Sequence, residues 1–415
     1  MTSRQRSEAS ILVAGGGIGG LATALGLAQN GYSVLVLEKA SRLGEIGAGI
    51  QLGPNAFHAF DTLGVGEAAR SMAVYIDQLR LMDALTAEEI THIDLGPAFR
   101  ARFGNPYAVV HRGDLHGVFL RACQDHPRIA LRTASEVVGY EQDGTGVVAL
   151  LASGDRVAGS LLVGADGLWS QIRRQLVGDG PPRVSGHSTY RSVIPTEQMP
   201  EDLRWNAATL WAGPKCHIVH YPLQGWKAFN LVVTYHNDAP EPVAGRPVPE
   251  EEVRRGFEHV HERARGIISH GRDWKLWVLC DRDPVERWVD GRVVLLGDAA
   301  HPTLQYFAQG ACMAMEDAVC LSHMLAAYPH DRDRALLEYQ AQRVVRTTRV
   351  QLQSRAIGEH IYHPAGAHAL ARNAIMGAKS SAEYYDHLAW LYGGTGLGAK
   401  ATADARERPR HLVAS

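Results

Sequence analysis

The amino-terminal segment carries the feature that most restricts how this chain can fold. An apolar run, Ile11 to Val13, leads directly into Gly15-Gly16-Gly17-Ile18-Gly19-Gly20, and a helical pattern then continues to Asn30. Ser33 to Leu37 predicts a second strand, which ends in Glu38. Strand, glycine turn, helix, strand and acid in this order are typical of a dinucleotide-binding βαβ unit. The chain is therefore predicted to contain a parallel α/β sheet.

Each glycine of this turn has a predicted role. Gly15 permits a tight turn, Gly17 lets the backbone approach a pyrophosphate, and Gly20 allows the helix to pack closely. The first N–H groups of the helix and its dipole favour phosphate groups. Glu38 is predicted to accept hydrogen bonds from the adenosine ribose hydroxyls. The motif alone leaves open whether the dinucleotide is FAD or NAD.

A second stretch, Arg292 to Asp317, predicts another strand that ends at a polar turn. Val293 to Leu296 is a continuous apolar run typical of a buried strand, and Gly297-Asp298 follows at its carboxyl end. Open α/β sheets present polar groups to ligands at this end. The pattern from Gly310 predicts a helix whose amino end faces the same place. Taken alone, the stretch is equally typical of an ordinary crossover.

Two more segments are predicted to border an extended ligand. The glycine-dense segment from Leu43 to Asn55 is too long for a simple βα connection, and its apolar residues make a flexible loop the weaker interpretation. Arg112 precedes the predicted helix Leu115 to Cys123, where it could reach a pyrophosphate or the flavin or, instead, pair with Asp114. Leu161 to Gly167 predicts a further buried strand that ends in Gly-Ala-Asp-Gly.

Shorter apolar runs predict the remaining elements. Ile129 to Arg132 and Val147 to Leu151 are predicted to form a β-meander that leads into the strand at Leu161. A mixed sheet is predicted from four runs between Gly186 and Asp281: Ser188 to Ile194, Thr209 to Leu210, Cys216 to Tyr221 and Phe229 to Tyr235. The pattern is mostly helical from Arg332 to about Ala389. Gly393 to Gly398 follows no strand and is not predicted to be a second nucleotide site.

Composition restricts the class of function. The 415 residues are 46% hydrophobic and 21% charged, which indicates a globular chain larger than one ordinary domain. A net charge of -2 argues against a nucleic-acid surface and favours small-molecule partners. No apolar run is long enough to span a bilayer, and Met1 to Ser10 is too polar for a signal peptide. The five cysteines include no close pair that resembles a zinc or redox motif, which predicts reduced thiols in a cytosolic protein. The 20 histidines are scattered, and no metal site is expected.

Three of these segments together carry a family resemblance. The glycine turn with Glu38, the Gly164-Ala165-Asp166-Gly167 segment and Gly297-Asp298-Ala299-Ala300-His301-Pro302 resemble the fingerprints of the single-component FAD-dependent aromatic hydroxylases. The resemblance implies an α/β fold: a Rossmann-like FAD-binding domain interleaved with a mixed β-sheet substrate domain and followed by a helical C-terminal region. The implied segments are 1–75, 107–183 and 283–345 for FAD, 76–106 and 184–282 for substrate, and 346–415 for the C-terminal region and tail.

The resemblance also implies the cofactors. FAD is the expected bound cofactor, and NADH, with NADPH as the alternative, is the expected electron donor. In this family the reduced flavin and dioxygen form a C4a-hydroperoxide, which transfers one oxygen to an electron-rich ring. Asp298 is implied to contact the pyrophosphate or ribityl chain, and Asp166 to serve both FAD and NAD(P)H. The residues predicted to bind the cofactor are Gly15, Gly17, Gly20, Glu38, Lys39, Ala48, Gln51, Arg112, Asp166, Gly297, Asp298, Gly310 and Ala311.

The chemistry also requires a base, because a phenol becomes more nucleophilic when it loses its proton. A histidine is the natural candidate, since its pKa lies near the operating pH. On a strand, His217 and Tyr221 would share one face, while His220 would point away from it. From this alternation alone, His217 is more typical of a histidine on a half-exposed sheet than of a catalytic base.

Two departures from the family pattern narrow the resemblance. Gln305 stands where the pattern has proline, and Cys312 where it has asparagine, as in the 3-hydroxybenzoate 6-hydroxylases of this family. That resemblance implies that His217 takes the phenol proton, that Gln305 hydrogen-bonds the phenol oxygen or positions the ring, and that Tyr221 orients substrate or peroxide. The expected reaction converts 3-hydroxybenzoate to 2,5-dihydroxybenzoate (gentisate), and a homodimer is consistent with the related enzymes.

Other functions stay open from the sequence alone. A salicylate-type or hydroxynicotinate-type hydroxylase would share the scaffold, although Gln305 argues against it. An NAD-dependent dehydrogenase could use the same glycine turn. A flavin-bound sensor or binding protein without catalytic activity would carry the same fingerprints.

Overall fold

The computed structural model describes residues 10–44 and 48–394, and within them four β-sheets pack against helices. The strands are β1 (Ile11–Ala14), β2 (Val34–Leu37), β3 (Gly49–Leu52), β4 (Val74–Tyr75), β5 (Gln78–Asp83), β6 (Glu89–Asp94), β7 (Ala108–His111), β8 (Ile129–Arg132), β9 (Val137–Gln142), β10 (Val147–Leu151), β11 (Arg156–Gly159), β12 (Leu161–Gly164), β13 (Arg183–Pro195), β14 (Ala207–Gly213), β15 (Cys216–Leu223), β16 (Ala228–His236), β17 (Ala244–Pro247), β18 (Lys275–Asp281), β19 (Val289–Asp290) and β20 (Val293–Leu295).

The α-helices are α1 (Ile18–Gln29), α2 (Pro54–Thr62), α3 (Gly66–Met72), α4 (Pro97–Phe103), α5 (Arg112–Gln124), α6 (Gln171–Leu176), α7 (Glu250–Arg254), α8 (Glu262–Gly266), α9 (Gly310–Ala327), α10 (Arg332–Ile357), α11 (Gly366–Gly377) and α12 (Ser381–Tyr392). A π-helical turn, Gly358–Tyr362, directly continues α10. Short 3₁₀ helices at Gly297–Ala299 and Gln305–Phe307 lie in the loop between β20 and α9. No helix of the described residues is long and apolar enough to cross a membrane.

The first sheet has the strand order β19-β20-β12-β1-β2-β8. The strands from β20 to β8 are parallel to one another, and the edge strand β19 pairs antiparallel with β20. β1 and β12 consist of buried apolar residues, as expected for strands covered on both faces. Because β1, β12 and β20 are adjacent and parallel, their carboxyl ends lie side by side. The three fingerprint segments therefore meet at one edge of this sheet.

The second large sheet has the order β17-β18-β13-β16-β15-β14-β5-β6, with β14 and β5 parallel and the other pairs antiparallel. One face packs on a separate apolar core that contains Trp211, Ile218 and Phe229. The opposite face is turned toward the first sheet. Its strands come from residues 78–94 and 183–281, so two separate segments of the chain build one sheet.

The predicted α/β class, with a Rossmann-like FAD-binding fold, a mixed second sheet and a helical C-terminal region, is confirmed. The six segment boundaries stay a prediction. The predicted β-meander was wrong in one strand, because β8 pairs in parallel with β2 at the edge of the first sheet. Only β10 lies in a meander, between β9 and β11. A short apolar run has the same pattern in either sheet, so its partner depends on contacts distant in sequence.

Parts of four predictions fall on residues outside those the structure describes. They are residues 1–9 of the segment judged against a signal peptide, Glu45 to Gly47 of the second glycine-dense segment, residues 395–398 of the glycine-rich stretch near the C-terminus, and the rest of the predicted tail.

Candidate active site

The glycine turn after β1 brings two strand ends and a helix start into close contact. Gly15 has φ +109°, and a Cβ there would lie 2.3 Å from the Ala165 carbonyl oxygen. A Cβ on Gly20 would lie 2.0 Å from the Gly15 carbonyl oxygen. Neither approach tolerates a side chain, so glycine is required at both positions. Gly17, the N-cap of α1, provides no side-chain cap, which leaves the first N–H groups of that helix available to a ligand.

An outer cavity of about 380 Å³ lies beside this turn and is lined by Gly15, Gly17, Glu38 and Lys39, among others. The Glu38 carboxylate is held in place by backbone N–H groups: Oε2 accepts from Gly16 at 2.7 Å and Oε1 from Ala40 at 2.8 Å. The acid that ends β2 is therefore oriented before any ligand binds.

Asp166 also lines the outer cavity and at the same time holds the start of α6. Its Oδ1 accepts from the Ser170 hydroxyl at 2.5 Å, and its Oδ2 from the Gln171 N–H at 2.8 Å. Burial raises the pKa of Asp166, whereas these hydrogen bonds oppose the rise. Asp166 thus shapes the cavity wall through α6, in addition to its predicted contact with the cofactors.

An inner cavity of about 340 Å³ adjoins the outer one, and both are lined by Gly17, Arg112, Ala165 and Gly167. Arg112 is the first residue of α5, and its backbone N–H donates to the Ala48 carbonyl at 2.9 Å. Its position between the two cavities agrees with the predicted reach toward a pyrophosphate or flavin.

The loop after β20 forms the floor of the inner cavity, where Gly297, Asp298, Gly310 and Ala311 all line it. The α9 helix begins at Gly310 without a side-chain cap. Its amino end therefore offers free N–H groups to the inner cavity, as α1 does from the other side.

A buried ionic network supports this loop from behind. Asp317 accepts from the Gly297 N–H at 3.0 Å and lies 2.5 Å from His301 Nε2. Arg343 bridges Asp317 and Glu316, with both contacts at 2.6 Å. Burial alone would raise the pKa of Asp317, but His301 and Arg343 hold it at about 2. The carboxylate is therefore charged, and it ties the loop to α9 and α10.

Side chains of β13, β15 and β16 form the opposite side of the inner cavity, which we call the substrate wall. Residues alternate between the two faces of β15. His217, Val219 and Tyr221 line the inner cavity, whereas His220 points to the other face, next to the rings of Trp205 and Trp211. The predicted placement of His217 and Tyr221 on one face and His220 on the other is confirmed.

His217 is buried at 1% exposure, and its Nδ1 lies 2.8 Å from His363 Nε2. Burial, together with the neighbouring His363 and His187, holds the pKa of His217 well below the usual 6.5. The ring is therefore neutral near pH 7. With Nδ1 engaged by His363, Nε2 is the nitrogen left to accept a proton from a ligand in the cavity.

Gln305 lies where the loop after β20 meets the substrate wall. Its Oε1 accepts from Arg191 Nη2 at 2.9 Å, and its Nε2 donates to the hydroxyls of Thr234 at 3.1 Å and Thr189 at 3.3 Å. The amide orientation is determined chemically, because a guanidinium can only donate. One lone pair of Oε1 remains for a ligand hydroxyl, so Gln305 can accept from a phenol but is otherwise fully engaged.

The structure brings most of the predicted site residues to the two cavities. His217, Tyr221 and Gln305 share the inner cavity with the predicted cofactor residues Gly17, Gln51, Arg112, Gly297, Asp298, Gly310 and Ala311. Gly15, Glu38, Lys39 and Asp166 line the outer cavity. Gly20 and Ala48 line neither: Gly20 packs beneath the turn, and Ala48 supports Arg112. Their direct contact with a cofactor stays a prediction.

The sequence did not lead us to predict three residues of this site. Arg191 and Tyr362 line the inner cavity, and His363 contacts His217. Arg191 had a signal, since it is the one charged residue within the predicted strand from Ser188 to Ile194. Tyr362 and His363 follow α10 and had none, because only the tertiary fold brings them beside His217.

The two adjoining cavities fit an extended flavin dinucleotide. The outer cavity contains the oriented Glu38 carboxylate, the uncapped start of α1 and a glycine turn without room for side chains. The inner cavity contains the uncapped start of α9, which lies opposite the substrate wall. A family model described as FAD binding domain matches residues 8–354. The chain therefore belongs to this family of flavoprotein monooxygenases.

Its relatives narrow the class further. The chain is 54% identical over 384 residues to 3-hydroxybenzoate 6-hydroxylase 1 of Aquipseudomonas alcaligenes, covering 92% of this chain and 97% of that protein. It is 48% identical over 387 residues to 3-hydroxybenzoate 6-hydroxylase of Polaromonas naphthalenivorans, covering 93% and 96%. Among solved structures, a Klebsiella pneumoniae HpxO variant complexed with FAD superposes with a TM-score of 0.81 at 25% identity, covering 94% of this chain and 100% of that one.

Proposed function

We propose that this chain hydroxylates 3-hydroxybenzoate para to its hydroxyl group, giving 2,5-dihydroxybenzoate, with FAD as cofactor and NADH and dioxygen as co-substrates. The observation that carries this proposal is that His217, Tyr221 and Gln305 line the inner cavity together with the loop that holds Asp298. The two hydroxylases named above support the substrate, because each is named for this reaction and is similar to this chain over nearly its whole length.

FAD, when bound and reduced, activates dioxygen and supplies the oxygen atom that enters the ring. The residues proposed to hold it lie along the two cavities, with Glu38 on the ribose side and Asp298 at the inner floor. The uncapped amino ends of α1 and α9 present N–H groups and favourable dipoles to its anionic parts.

His217 is the proposed base for the phenol. In the tautomer with hydrogen on Nδ1, it donates to His363 Nε2 and keeps a lone pair on Nε2 for the phenol proton. Its lowered pKa leaves this lone pair available at neutral pH. Loss of the proton increases the electron density of the ring carbons ortho and para to the oxygen. The ring is therefore activated when its hydroxyl group lies within reach of His217, which accepts the proton.

Gln305 and Tyr221 are proposed to position the ring. The remaining lone pair of Gln305 Oε1 can accept from the phenol hydroxyl before its proton passes to His217 Nε2, and the Tyr221 side chain also lines the inner cavity. With the phenol oxygen held at the wall, the para carbon is the one directed away from it, toward the cofactor side. This orientation accounts for hydroxylation para to the hydroxyl.

Product analysis tests the proposal directly. The purified holoenzyme is incubated with NADH, in air, with 3-hydroxybenzoate and, in parallel, with salicylate, 4-hydroxybenzoate and 6-hydroxynicotinate. The expected result is stoichiometric 2,5-dihydroxybenzoate from 3-hydroxybenzoate, and NADH oxidation stimulated most by that substrate. Preferred turnover of salicylate or 6-hydroxynicotinate would instead support the alternative hydroxylases. Repeating the assay with NADPH tests the proposed preference for NADH.

We also propose a homodimer and a cytoplasmic location, in line with a catabolic enzyme for a small aromatic acid. Light scattering coupled to gel filtration measures the first and cell fractionation the second. A monomeric mass at micromolar concentration, or recovery with the membrane fraction, would contradict them.

A further inference from the structure

Arg191 is a cation at the inner cavity that has no anionic partner among the residues that the structure describes. The residue lines that cavity, and its guanidinium lies over the Trp277 ring at 5.4 Å from the centroid. Within residues 10–44 and 48–394, no Asp or Glu carboxylate forms an ion pair with it, and the ionisable groups that influence it are Tyr221 and Arg112. Its Nε is buried without a hydrogen-bond partner.

Such an arrangement is unfavourable in the protein alone. Burial lowers the pKa of the Arg191 guanidinium, which nonetheless remains charged, and Arg112 adds repulsion. A buried charge without a counter-ion costs free energy that a ligand anion can recover. The unpartnered Nε and the bonded Nη2 belong to the planar guanidinium that recognises carboxylates in a two-point contact.

The sheet register places Arg191 between the two predicted catalytic side chains. On the cavity face, Arg191 of β13 shares a cross-strand row with Val232 and Val219. The row on one side contains His217, and the row on the other side contains Tyr221. Neighbouring rows on one face are two residues apart along the strand, about 7 Å. Arg191, the proposed base His217 and Tyr221 therefore lie on one wall, with a spacing between rows that is similar to the size of one substituted aromatic ring.

Gln305 fixes the orientation of this cation. Its Oε1 accepts from Arg191 Nη2, while its Nε2 is held by Thr234 and Thr189. The hydrogen bond orients the guanidinium of Arg191, and the residue still lines the inner cavity, where an acceptor can reach it. Gln305 therefore links the place proposed for the phenol oxygen to the cation.

We propose that Arg191 binds the carboxylate of the aromatic substrate, and so makes this wall selective for hydroxylated aromatic acids over neutral phenols. The inference rests on the proposed function for which aromatic compound is bound. The binding of a carboxylate at Arg191 does not depend on it. With the carboxylate at Arg191 and the phenol oxygen at His217, a ring carrying the two groups meta to each other is held at two points. Two-point attachment restricts the rotation of the ring in the inner cavity.

The test is a comparison of ligands against variants, read from the flavin absorbance of the holoenzyme without NADH. The ligands are 3-hydroxybenzoate, benzoate and neutral 3-hydroxybenzamide, and the variants are Arg191→Met and Arg191→Lys. Lys275→Met is the matched control, because Lys275 is the cross-strand partner of Arg191 on β18 and does not line the inner cavity.

In the unaltered protein, we expect both carboxylates to bind more tightly than the amide. Arg191→Met should weaken 3-hydroxybenzoate and benzoate by about 30-fold or more, as expected for loss of a charge-assisted pair, and change the amide by less than about 3-fold. Arg191→Lys should restore part of the loss. Lys275→Met should leave all three affinities nearly unchanged.

Three results would overturn the inference. The first is an equal loss for the amide and the carboxylates in Arg191→Met, which would mean that Arg191 shapes the wall without binding the anion. The second is equal affinity of the unaltered protein for amide and acid. The third is loss of FAD from both Arg191 variants, which would assign the cation to the cofactor. Benzoate has no hydroxyl to react, so its result stands even if the proposed hydroxylation of 3-hydroxybenzoate fails.

Discussion

The outer cavity with its glycine turn, which we call the cofactor cradle, and the substrate wall recognise ligands in opposite ways. The cradle is built from strand ends, uncapped helix starts and glycines with no space for a Cβ, so its donors are mainly backbone N–H groups. The wall presents side chains from two strands, His217 and Tyr221 from β15 and Arg191 from β13, joined by Gln305 from the loop. Backbone recognition suits a cofactor shared by a whole family, whereas side chains can change with the substrate.

The two regions also differ in their electrostatics. In the cradle, two backbone N–H groups hold the Glu38 carboxylate in place. In the wall, burial lowers the pKa of His217 and keeps its ring neutral, and no described carboxylate pairs with Arg191. Substitutions in the cradle should therefore change mainly the binding of the cofactor. Substitutions in the wall should change the binding of the substrate's charge and the removal of its proton. The following experiments test this contrast.

The largest expected effect is that of His217→Ala on hydroxylation. Loss of the base should lower the turnover number by about 10²- to 10⁴-fold, because proton transfer from the phenol then has no acceptor in the wall. FAD content should be unchanged, since the side chain belongs to the wall and not to the cradle. The measurement is 2,5-dihydroxybenzoate formed per bound FAD.

His220→Phe is the control for this variant. His220 lies on the same strand, but it packs on the opposite face among Trp205, Trp211 and Phe229, where an aromatic ring fits. Its turnover should remain close to that of the unaltered protein. Unchanged turnover of His217→Ala at neutral pH would remove His217 from the mechanism.

Arg343→Met tests the support that both regions share. Among the described residues, the substitution leaves Arg346 as the ion-pair partner of Glu316 and His301 as that of Asp317, and both carboxylates are fully buried. Removing one partner of a buried ionic network costs about 3–5 kcal/mol, so the free energy of unfolding should fall by that amount. Arg334→Met, an exposed arginine on the same helix, is the control, and chemical denaturation is the measurement. Equal stability of the two variants would show that the network adds nothing.

Glu38→Gln should affect the cradle alone. Replacing the carboxylate weakens its hydrogen bonds to the backbone and the one proposed to the ribose, so the dissociation constant of FAD should rise by about 10-fold. Turnover at saturating FAD should stay within about 2-fold, because the wall is untouched. Fluorescence titration of the apoprotein with FAD measures the first quantity. A large fall in turnover at saturating FAD would mean that the two regions are coupled.

The smallest effect concerns pH. The base acts when unprotonated, and the folded protein lowers the pKa of His217 below its ordinary 6.5. The side chain therefore stays unprotonated at pH values where an ordinary histidine gains its proton, and the proton is gained only as the pH falls through the lowered pKa. Hydroxylation should stay constant as the pH is lowered from neutral through the ordinary histidine value of 6.5. FAD content is followed at each pH, and an acid limb centred at 6.5 or above with FAD retained would contradict the assignment.

The same contrast explains what could be predicted from the sequence. The elements of the cradle are local: β1, the glycine turn, α1 and Glu38 follow one another within one short stretch, and α9 begins at Gly310 as predicted. The wall was predicted only in part. Alternation along β15 placed His217 and Tyr221 on one face, whereas the role of Gln305 came from a family resemblance and stays a prediction. Arg191 was missed, although a charge inside a predicted strand was visible.

The sequence by itself determined the class of fold, the family and the dinucleotide turn, because these depend on short-range order of apolar runs and glycines. Only the tertiary structure decided that β8 joins the parallel sheet, that His363 contacts His217, and that Gln305 bonds to Arg191 rather than standing free in the cavity. Each of these contacts joins segments about a hundred residues apart or more. No local pattern encodes such a contact, since it forms only when two sheets and a C-terminal helix pack around one cavity.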